Sequence, residues 1–415
     1  MIATDYCKKV FDGTHDSPKP VENGRLLITS KHIANRSLDI SSAYLISEED
    51  FENVNKRSQV HQWDILFSMI GTVGNVYIET SEKIDYAIKN MGVFSCQNKE
   101  KAYWLYYYLQ SPLIQAKIDA LMAGAVQKFV PLGFLRDLDI PEYTEKSKKV
   151  VQVLSALDDK IALNKKMNQK LEAMAKRLYD YWFVQYDFPD KNGHPYKTTG
   201  GPMTYNPTLK REIPVGWEVK TLKECIKHIN TGLNPRDNFV LGNGDIKYVT
   251  VKNLTTEGNI DFSGCDLIDE DALKKVHKRS DIAKGDVLYA SICPLGRSYL
   301  INKDPIGWDI NESVFSIRPN LDMISSEFLS MFLKDSAVVE KASKMATGSI
   351  FKGIRIKELE NMILAVPVKD VMEKFSKQIK NLIELEHKNT EQIAHLTALR
   401  DKLLPLLMNG QVVID

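Results

Sequence analysis

The chain has 415 residues, of which 43% are hydrophobic and 26% are charged, a composition typical of a globular protein with two or three domains. Lys and Arg number 55 and Asp and Glu number 54. A nucleic-acid surface would therefore have to be a local patch of cations. No run approaches the ~18 apolar residues of a membrane span, and the first residues lack the apolar core of a signal peptide. We expect a cytoplasmic protein with no membrane partner.

The spacing of the cysteines and the absence of common enzyme motifs argue against a catalytic or metal site in this chain. Five cysteines are widely spaced, which favours reduced thiols over disulfides or a zinc site. Phosphate-binding glycine loops, His-Glu-x-x-His and Gly-x-Ser-x-Gly are absent from the sequence. The closest match to an amino-methyltransferase loop, at 205–208, lacks the second proline and the aromatic residue, and is more typical of a turn. We predict no catalytic residue, no metal site and no cofactor in this chain.

An internal repeat is the strongest feature of the sequence. Residues 56–67 (KRSQVHQWDILF) recur as 278–289 (KRSDIAKGDVLY), 222 positions later. Residues 27–33 match 248–254, and residues 123–127 match 347–351. The spacing drifts only from 221 to 224, which small loop insertions within one shared fold explain. The repeat predicts two similar globular domains related by a pseudo-two-fold axis.

Each copy begins with short β-branched and aromatic runs bounded by Gly, Asn and Asp, which predict strands and turns. A helical segment follows, with aromatic residues four positions apart: Trp104 and Tyr108 in the first copy, Phe328 and Phe332 in the second. These rings could stack on bases, but helical spacing favours a core stripe. Each copy ends in a long helix. The predicted fold class is α+β.

The two long helices lie in proline-free segments, 142–188 and 368–404. A heptad reading places Asn164 and Asn389, 225 positions apart, at the same a position, where a polar residue fixes register. We predict an antiparallel coiled coil joining the two domains, and the alternative is that each helix packs on its own domain with a partly solvated Asn. The residues predicted to pair the helices are Leu157, Asn164, Leu171, Leu382, Asn389 and Leu396. The reading places positions 153, 160, 167, 174 and 181, and 378, 385, 392, 399 and 406, at d.

These elements predict five segments. The first domain spans 1–145, the first long helix 146–188, a linker 189–212, the second domain 213–368, and the second long helix with its tail 369–415. A helix of about 36 residues is ~54 Å long, a length comparable to the ~34 Å repeat of duplex DNA. Two unlike domains held at a set distance would suit an asymmetric bipartite DNA target.

Several segments resemble the specificity subunits of type I restriction–modification enzymes, and the resemblance covers essentially the whole chain. Residues 156–161 (ALDDKI) and 171–184 (LEAMAKRLYDYWFV) resemble the central conserved segment of that family. Residues 399–410 (LRDKLLPLLMNG) resemble its distal segment, and 213–219 (IPVGWEV) is similar to the entry of a recognition domain.

The resemblance implies two target recognition domains that bind double-stranded DNA, and long helices that dock modification (methyltransferase) subunits. It also implies that S-adenosylmethionine is used by those partners, and that ATP and magnesium are used by restriction subunits. One departure is visible, since residues 214–219 lead into Cys225 but only six residues precede Cys7. The first strand of the first domain is therefore either short or completed by the C-terminal region.

Cations repeated at matched positions are the candidates for phosphate contacts. The alternative for each of these cations is a solvated surface charge. Asp64 and Asp286 are also repeated, and we expect them to close turns. Two loops that begin with glycine differ in sequence between the copies and are candidates for base contacts. In these loops Gln127 could hydrogen-bond an adenine edge and Arg355 a guanine edge. The predicted DNA-binding residues are Lys31, His32, Lys56, Arg57, Gln127, Lys128, Lys252, Asn253, Lys275, Lys278, Arg279, Ser349, Lys352 and Arg355. Lys274 and His277 would enlarge the second patch.

Aromatic residues at the end of the first long helix are candidates for partner docking, and burial against the second domain is the alternative. These residues are Tyr179, Tyr181, Trp182 and Phe183.

Two rival functions remain, a two-headed scaffold that binds proteins and a self-sufficient methyltransferase. Salt-dependent binding to duplex DNA would argue against the first, and S-adenosylmethionine crosslinking would favour the second.

Overall fold

The computed structural model describes residues 1–34, 36–123, 129–348, 352–412 and 414. The chain forms two compact units, Met1–Asn164 with Gln392–Asp415 (unit 1), and Lys165–Glu391 (unit 2). Each unit contains one copy of the repeat and a part of both long helices. The helices begin at Glu145 and Lys369, next to the predicted domain ends at 145 and 368.

Unit 1 is an α+β unit built on two small sheets. The larger sheet has the order β1-β9-β6-β7, and in the smaller sheet β2 lies between antiparallel β5 and parallel β8. The strands are β1 (Lys9–Asp12), β2 (Arg25–Thr29), β3 (Ile33–Ala34), β4 (Ser37–Leu38), β5 (Tyr44–Ile46), β6 (Asp64–Ser68), β7 (Val76–Ile78), β8 (Tyr86–Lys89) and β9 (Met91–Ser95). The helices are α1 (Ala3–Tyr6), α2 (Glu48–Ser58), α3 (Lys99–Leu109), α4 (Pro112–Met122), α5 (Leu132–Arg136) and α6 (Glu145–Tyr179).

Unit 2 repeats the two larger sheets of unit 1. It adds a hairpin and a further strand pair, and it has a single bridge where unit 1 has β3 and β4. The strands are β10 (Met203–Asn206), β11 (Arg211–Pro214), β12 (Glu218–Thr221), β13 (Ile226–Thr231), β14 (Ile246–Val249), β15 (Asp266–Ile268), β16 (Val287–Ala290), β17 (Ser298–Leu300), β18 (Trp308–Ile310), β19 (Val314–Pro319) and β20 (Ile363–Val366). The helices are α7 (Leu222–Cys225), α8 (Glu270–Ser280), α9 (Ser326–Lys334), α10 (Ser336–Met345), α11 (Ile356–Glu360) and α12 (Lys369–Met408).

The sheets of the two units have one topology, which confirms the predicted duplication and the α+β class. The order β13-β19-β16-β17 repeats β1-β9-β6-β7, and β15-β14-β18 repeats β5-β2-β8 with the same parallel pair. Short 3₁₀ turns, Ser30–His32 and Val251–Asn253, follow β2 and β14. The aromatic stripes of α3 and α9 are buried, as the helical spacing predicts. These rings therefore belong to the core and are closed to base stacking.

One strand pair of unit 2 has only a single bridge as its counterpart in unit 1. In unit 2, β12 pairs with β20 along four residues, and Thr221 is opposite Ile363. At the equivalent place in unit 1 the pairing is reduced to one bridge, between Ile2 and Asp139.

Asp64 and Asp286 close turns before β6 and β16, as predicted. Each side chain is fully buried and accepts a hydrogen bond at 2.9 Å, from the backbone N–H of His61 and of Ala283 respectively. Burial raises the pKa of the Asp64 carboxyl. Asp286 also pairs with Arg318 at 2.7 Å, so the second turn is held by a buried ion pair.

The long helices pair antiparallel within each unit, which confirms the predicted pairing. In unit 1 the Asn164 amide donates to Gln392 Oε1 at 2.7 Å. In unit 2 the Asn389 amide donates to Asn168 Oδ1 at 2.9 Å, and the Asn168 amide donates to Thr390 Oγ1 at 3.0 Å. Each predicted asparagine is therefore hydrogen-bonded across the helix pair.

The predicted heptad register is half wrong. The a positions face the partner helix, with Leu171 buried and Leu157, Leu382 and Leu396 half-buried. Five apolar residues predicted at d are exposed instead, because the residue one position later faces inward. The exposed residues are Met167, Met174, Tyr181, Leu385 and Leu399. The inward residues include Leu154, Ile161, Asn168, Ala175 and Trp182, and Ile379, Ile393, Arg400 and Leu407.

Two segments differ from the predicted helix and linker. α12 continues through Pro405 to Met408, beyond the proline-free stretch. The predicted linker 189–212 is folded in unit 2, because β10 and β11 pair and Phe188 stacks on Trp217 with ring centroids 5.4 Å apart.

Candidate DNA interface

One exposed lysine follows the central strand of the smaller sheet in each unit. Lys31 lies in the 3₁₀ turn after β2 and Lys252 in the turn after β14, and both side chains are exposed. Because the two turns have the same backbone form, the two ammonium groups occupy equivalent places. This arrangement agrees with the predicted phosphate contacts and does not test them.

The neighbours of these lysines are structural, and their predicted place in a DNA surface is wrong. His32 and Asn253 are 1% and 4% exposed. The His32 ring nitrogen Nδ1 accepts from the Thr29 N–H at 2.8 Å, and Asn253 Oδ1 accepts from the Thr250 N–H at 2.8 Å. Burial lowers the pKa of His32, which keeps the ring neutral. Both residues cap the turn that presents the lysine.

Arg57 lies in the last turn of α2 and extends along the edge strand β1. Its Nη2 is 3.4 Å from Asp12 Oδ1, and its backbone carbonyl accepts a hydrogen bond from Lys9 Nζ at 3.3 Å. The Arg57 side chain is 68% exposed. The guanidinium is therefore tethered at one point and open to an anion elsewhere.

Arg279 makes the matching contact in unit 2. It lies in the last turn of α8, and its Nε donates to Thr231 Oγ1 at 3.2 Å. Thr231 ends β13 as Asp12 ends β1, since both strands form the same edge of the larger sheet. Comparison of the two copies missed Asp12 and Thr231 because their residue types differ. A carboxylate tethers one arginine and a hydroxyl tethers the other.

A chain of hydrogen bonds connects Arg57 with the Lys31 turn. Asp12 Oδ2 is 2.9 Å from His15 Nε2, and His15 Nδ1 is 2.9 Å from Asn90 Oδ1. The Asn90 carbonyl accepts from Ser30 Oγ at 3.0 Å. The structure thus connects Arg57 with the Lys31 turn through side chains of unit 1.

The helices that carry the arginines differ in charge. α2 has four acidic and two basic residues, whereas α8 has two acidic and four basic residues and a histidine. Lys56 is exposed and donates to Asn53 Oδ1 at 2.8 Å, while Lys275 donates to the Asn238 carbonyl at 3.0 Å. Lys278 is exposed on α8 as well. The patch of unit 2 is the more positive of the two.

The predicted base-contacting loops are only partly visible. Gln127, Lys128 and Ser349 lie outside the described residues. Lys352 and Arg355 are exposed, and their role in base contacts stays a prediction. Isolated bridges join Ile70 to Phe129 and Ile292 to Gly353.

These bridges place the segment after each predicted recognition loop beside the turn that follows β6 or β16. In unit 1 this turn also contacts the Lys31 turn, since Thr72 Oγ1 donates to the Ser30 carbonyl at 3.2 Å. Bases and phosphates could thus be contacted from neighbouring segments of one unit.

Three of the four residues predicted to dock a partner are buried, so that prediction is wrong for them. Tyr179, Trp182 and Phe183 are between 2% and 6% exposed. The Phe183 ring centroid is 4.7 Å from that of Phe375 and 4.8 Å from that of Phe328. Burial in unit 2 is therefore the correct alternative. Tyr181 is 37% exposed and remains a candidate.

Clusters of metal ligands and membrane-spanning helices are absent from the part of the chain that the structure describes. Within it, no cluster of three or more His, Cys, Asp or Glu side chains could hold a metal ion. No described helix is both long and apolar enough to cross a membrane.

The chain is thus an internally duplicated α+β protein that holds an exposed arginine at the same place in each copy. A sequence profile described as the type I restriction modification DNA specificity domain matches residues 20–173 and 214–395. These ranges cover most of the chain, which therefore belongs to this family, the DNA-recognition subunits of type I restriction–modification systems.

Relatives and a solved structure agree. The type I restriction enzyme MjaIX specificity subunit of Methanocaldococcus jannaschii is 26% identical over 314 residues, covering 75% of this chain and 69% of the relative. The HindI specificity subunit of Haemophilus influenzae is 22% identical over 330 residues, covering 66% and 69%. The type I S subunit from M. genitalium superposes with a TM-score of 0.54 at 16% identity, covering 98% of this chain and 95% of that chain, and shows the same fold.

Proposed function

We propose that the chain recognises an asymmetric bipartite target in double-stranded DNA, one half-site per unit. The observation that carries this proposal is the repeated arginine, Arg57 and Arg279, held against the end of the same edge strand and exposed in both units. A cation repeated in position suits phosphates, which are alike at both half-sites. The segments that differ between the units suit base recognition, so the two half-sites differ in sequence.

We propose that modification subunits dock on the long helices. The support is that each unit exposes large apolar side chains on its part of the long helices, because clustered exposed apolar residues mark interaction surfaces. In unit 1 these residues are Leu163 on α6 and Leu399 on α12. In unit 2 they are Met167 and Met174 on α6, Tyr181 in the turn after α6, and Leu385 on α12. Family membership supports assembly with modification and restriction subunits. In this proposal those partners bind S-adenosylmethionine, ATP and magnesium, and the complex acts in the cytoplasm.

Co-expression with a type I modification subunit from the same organism tests the proposal. Mapping of methylated adenines should give two different short motifs at constant spacing. The R57A/R279A double variant should lower methylation, whereas K369A, an exposed lysine at the start of α12, should not. Unmethylated DNA together with no stable complex would contradict the proposal.

A salt titration separates DNA recognition from the alternative of a protein scaffold. Affinity for duplex DNA should fall steeply between 50 and 200 mM salt, because bound cations are released from the phosphates. Retention that does not depend on salt would favour the scaffold.

A further inference from the structure

A buried ion-pair cluster joins the long helices to α3 in unit 1. Arg400, 8% exposed, places Nη1 2.6 Å from Asp158 Oδ1. Tyr107 donates its hydroxyl to Asp158 Oδ2 at 2.7 Å. Asp401 Oδ1 lies 2.9 Å from Arg400 Nη2 and 3.3 Å from Arg36 Nη2. We call these five residues the Arg400 cluster. Three elements, α3, α6 and α12, are tied together by it.

The duplication identifies the equivalent positions in unit 2. Backbone and burial support the match: Arg36 and its counterpart Gly258 both have positive φ, 61° and 78°. Arg400 and its counterpart Ala175 are 8% and 6% exposed. The counterparts of Arg36, Tyr107, Asp158, Arg400 and Asp401 are Gly258, Met331, Ile383, Ala175 and Lys176. Two arginines and a tyrosine of unit 1 are thus replaced by smaller or apolar side chains.

All five counterparts line one cavity of about 260 Å³ in unit 2. The space that charged side chains fill in unit 1 is therefore open in unit 2. Its walls are partly apolar, with Leu300 and Tyr179 beside Met331, Ile383 and Ala175. The volume lies just below the ~300 to 1,000 Å³ of common small-molecule sites, so a ligand of a few heavy atoms would fit.

The charged side chains of the cavity are predominantly acidic. Glu172 projects from α6, Glu386 from α12 and Lys334 from α9. Burial raises the pKa of Glu386 to about 7, and the Glu172 charge adds to the shift while Lys334 opposes it. Burial also raises the pKa of Glu172, and the nearby Glu257 contributes. The charge of Lys334 opposes the upward pKa shift of both carboxyls.

The remaining titratable groups that face the cavity are neutral or paired. Burial lowers the pKa of His387 to about 4, which leaves this ring neutral at pH 7. Lys176 pairs with Asp180 at 2.7 Å, and Asp335 caps α10 by accepting from the Ala337 N–H at 3.0 Å. Of the described lining residues, these contacts leave Lys334 as the cation that faces Glu172 and Glu386.

We propose that this cavity binds a small organic cation, a guanidinium or ammonium group on a short apolar stem. The cationic group lies between Glu172 and Glu386, as the Arg400 guanidinium lies between Asp158 and Asp401 in unit 1. The stem packs along Met331 and Ile383. The bound cation connects α6, α9 and α12 in unit 2. This site is separate from the DNA surface of the proposed function.

Calorimetric titration of the full chain with n-butylguanidine tests the site, and n-butylurea serves as the uncharged probe of the same shape. We expect n-butylguanidine to bind at a single site and n-butylurea to bind at least tenfold more weakly. Binding should strengthen from pH 6 to pH 8, as the Glu386 carboxyl loses its proton. Absence of saturable n-butylguanidine binding to the folded chain would overturn the proposal.

Variants locate the binding. E386Q removes one carboxylate and should weaken n-butylguanidine at least tenfold. E391Q is the matched control on the same helix, since Glu391 is 57% exposed and pairs with Lys303 outside the cavity, and it should leave affinity unchanged. A175R places in unit 2 the side chain found in unit 1 and should abolish binding; if this variant does not fold, E386Q decides. Equal affinity in wild type and E386Q would overturn the proposal.

Discussion

The two units share one topology and differ where the helix pair meets the globular part. Unit 1 uses the Arg400 cluster, whereas unit 2 has apolar side chains and a cavity at the same positions. A buried charge without its partner is strongly destabilising, while an apolar replacement of the whole set can be neutral. The members of such a cluster must therefore change together. Unit 2 agrees, because Arg36, Asp158 and Arg400 are all replaced there.

The candidate DNA surfaces of the two units also differ. The guanidinium of Arg57 lies beside a carboxylate, whereas that of Arg279 is held by the hydroxyl of Thr231. α8 is also richer in cations than α2. A phosphate approaching unit 1 competes with Asp12 for the arginine, and a phosphate approaching unit 2 meets no such competitor at Thr231. The units should therefore contribute unequally to the phosphate part of DNA affinity.

The largest expected effect comes from breaking the Arg400 cluster with D158A. Arg400 and the Tyr107 hydroxyl would stay buried without this partner, so unit 1 should lose about 3 kcal/mol of unfolding free energy. The counterpart I383A shortens a half-buried side chain beside an existing cavity and should lower the stability of unit 2 by about 1 to 2 kcal/mol. Urea unfolding followed by hydrogen exchange in each half of α12 measures the two units separately.

The double variant D158I/R400A is the control, since it gives unit 1 the residues of unit 2. It should be more stable than D158A because no buried charge is left unpaired at these two positions. A loss below 1 kcal/mol in D158A would contradict a stabilising role for the cluster.

The duplication, the fold class and the helix pairing could all be predicted from the sequence, because each rests on spacing between similar segments. The d positions of the helices could not, since Met167, Met174 and Leu385 are apolar and still exposed. Periodicity distinguishes an apolar face from a polar one but not which of two apolar rows meets the partner helix. The cluster and the cavity were missed because they exist only where the copies differ.

Five of the predicted site residues are buried for a related reason. His32 and Asn253 occupy equivalent positions in the two copies, next to Lys31 and Lys252. A position shared by both copies can be required for folding as well as for function. Polar residues that cap a turn are buried in both units. Four aromatic residues near a helix end suggest an interface, but unit 2 itself covers Tyr179, Trp182 and Phe183.

A smaller effect is expected from the arginines of the DNA surface. R279A should weaken binding to a non-specific duplex about tenfold and lower the salt slope by roughly one phosphate contact. R57A should weaken binding only about twofold, because Asp12 already balances part of its charge. Fluorescence anisotropy with a labelled duplex between 50 and 200 mM salt measures both.

D12N is the informative control, since it removes the carboxylate that competes with phosphate and should strengthen binding. Equal losses in R279A and R57A, with no gain in D12N, would show that the two tethers are equivalent.

The smallest effect concerns pH and separates the cavity of unit 2 from its counterpart. The Glu386 carboxyl has a pKa of about 7 in the folded chain and ~4.3 when unfolded. Between these values the folded state holds a proton that the unfolded state has lost, so the contribution of Glu386 to stability is present at low pH and disappears as the pH rises through 7. Wild type should therefore lose about 1 kcal/mol relative to E386Q from pH 6 to pH 8.

The comparison with E386Q isolates the effect of the Glu386 carboxyl. The pKa of His387 is lowered, so its contribution to the free energy of unfolding rises with pH, but it is the same in both proteins. E391Q should follow wild type across the same range. The position equivalent to Glu386 in unit 1 is Ile161, which does not titrate. The urea midpoint for unfolding of unit 2, measured by hydrogen exchange, should therefore shift with pH because of Glu386. A constant difference between wild type and E386Q would mean that Glu386 is already ionised at pH 6, and that the cavity does not hold its carboxyl in the protonated form.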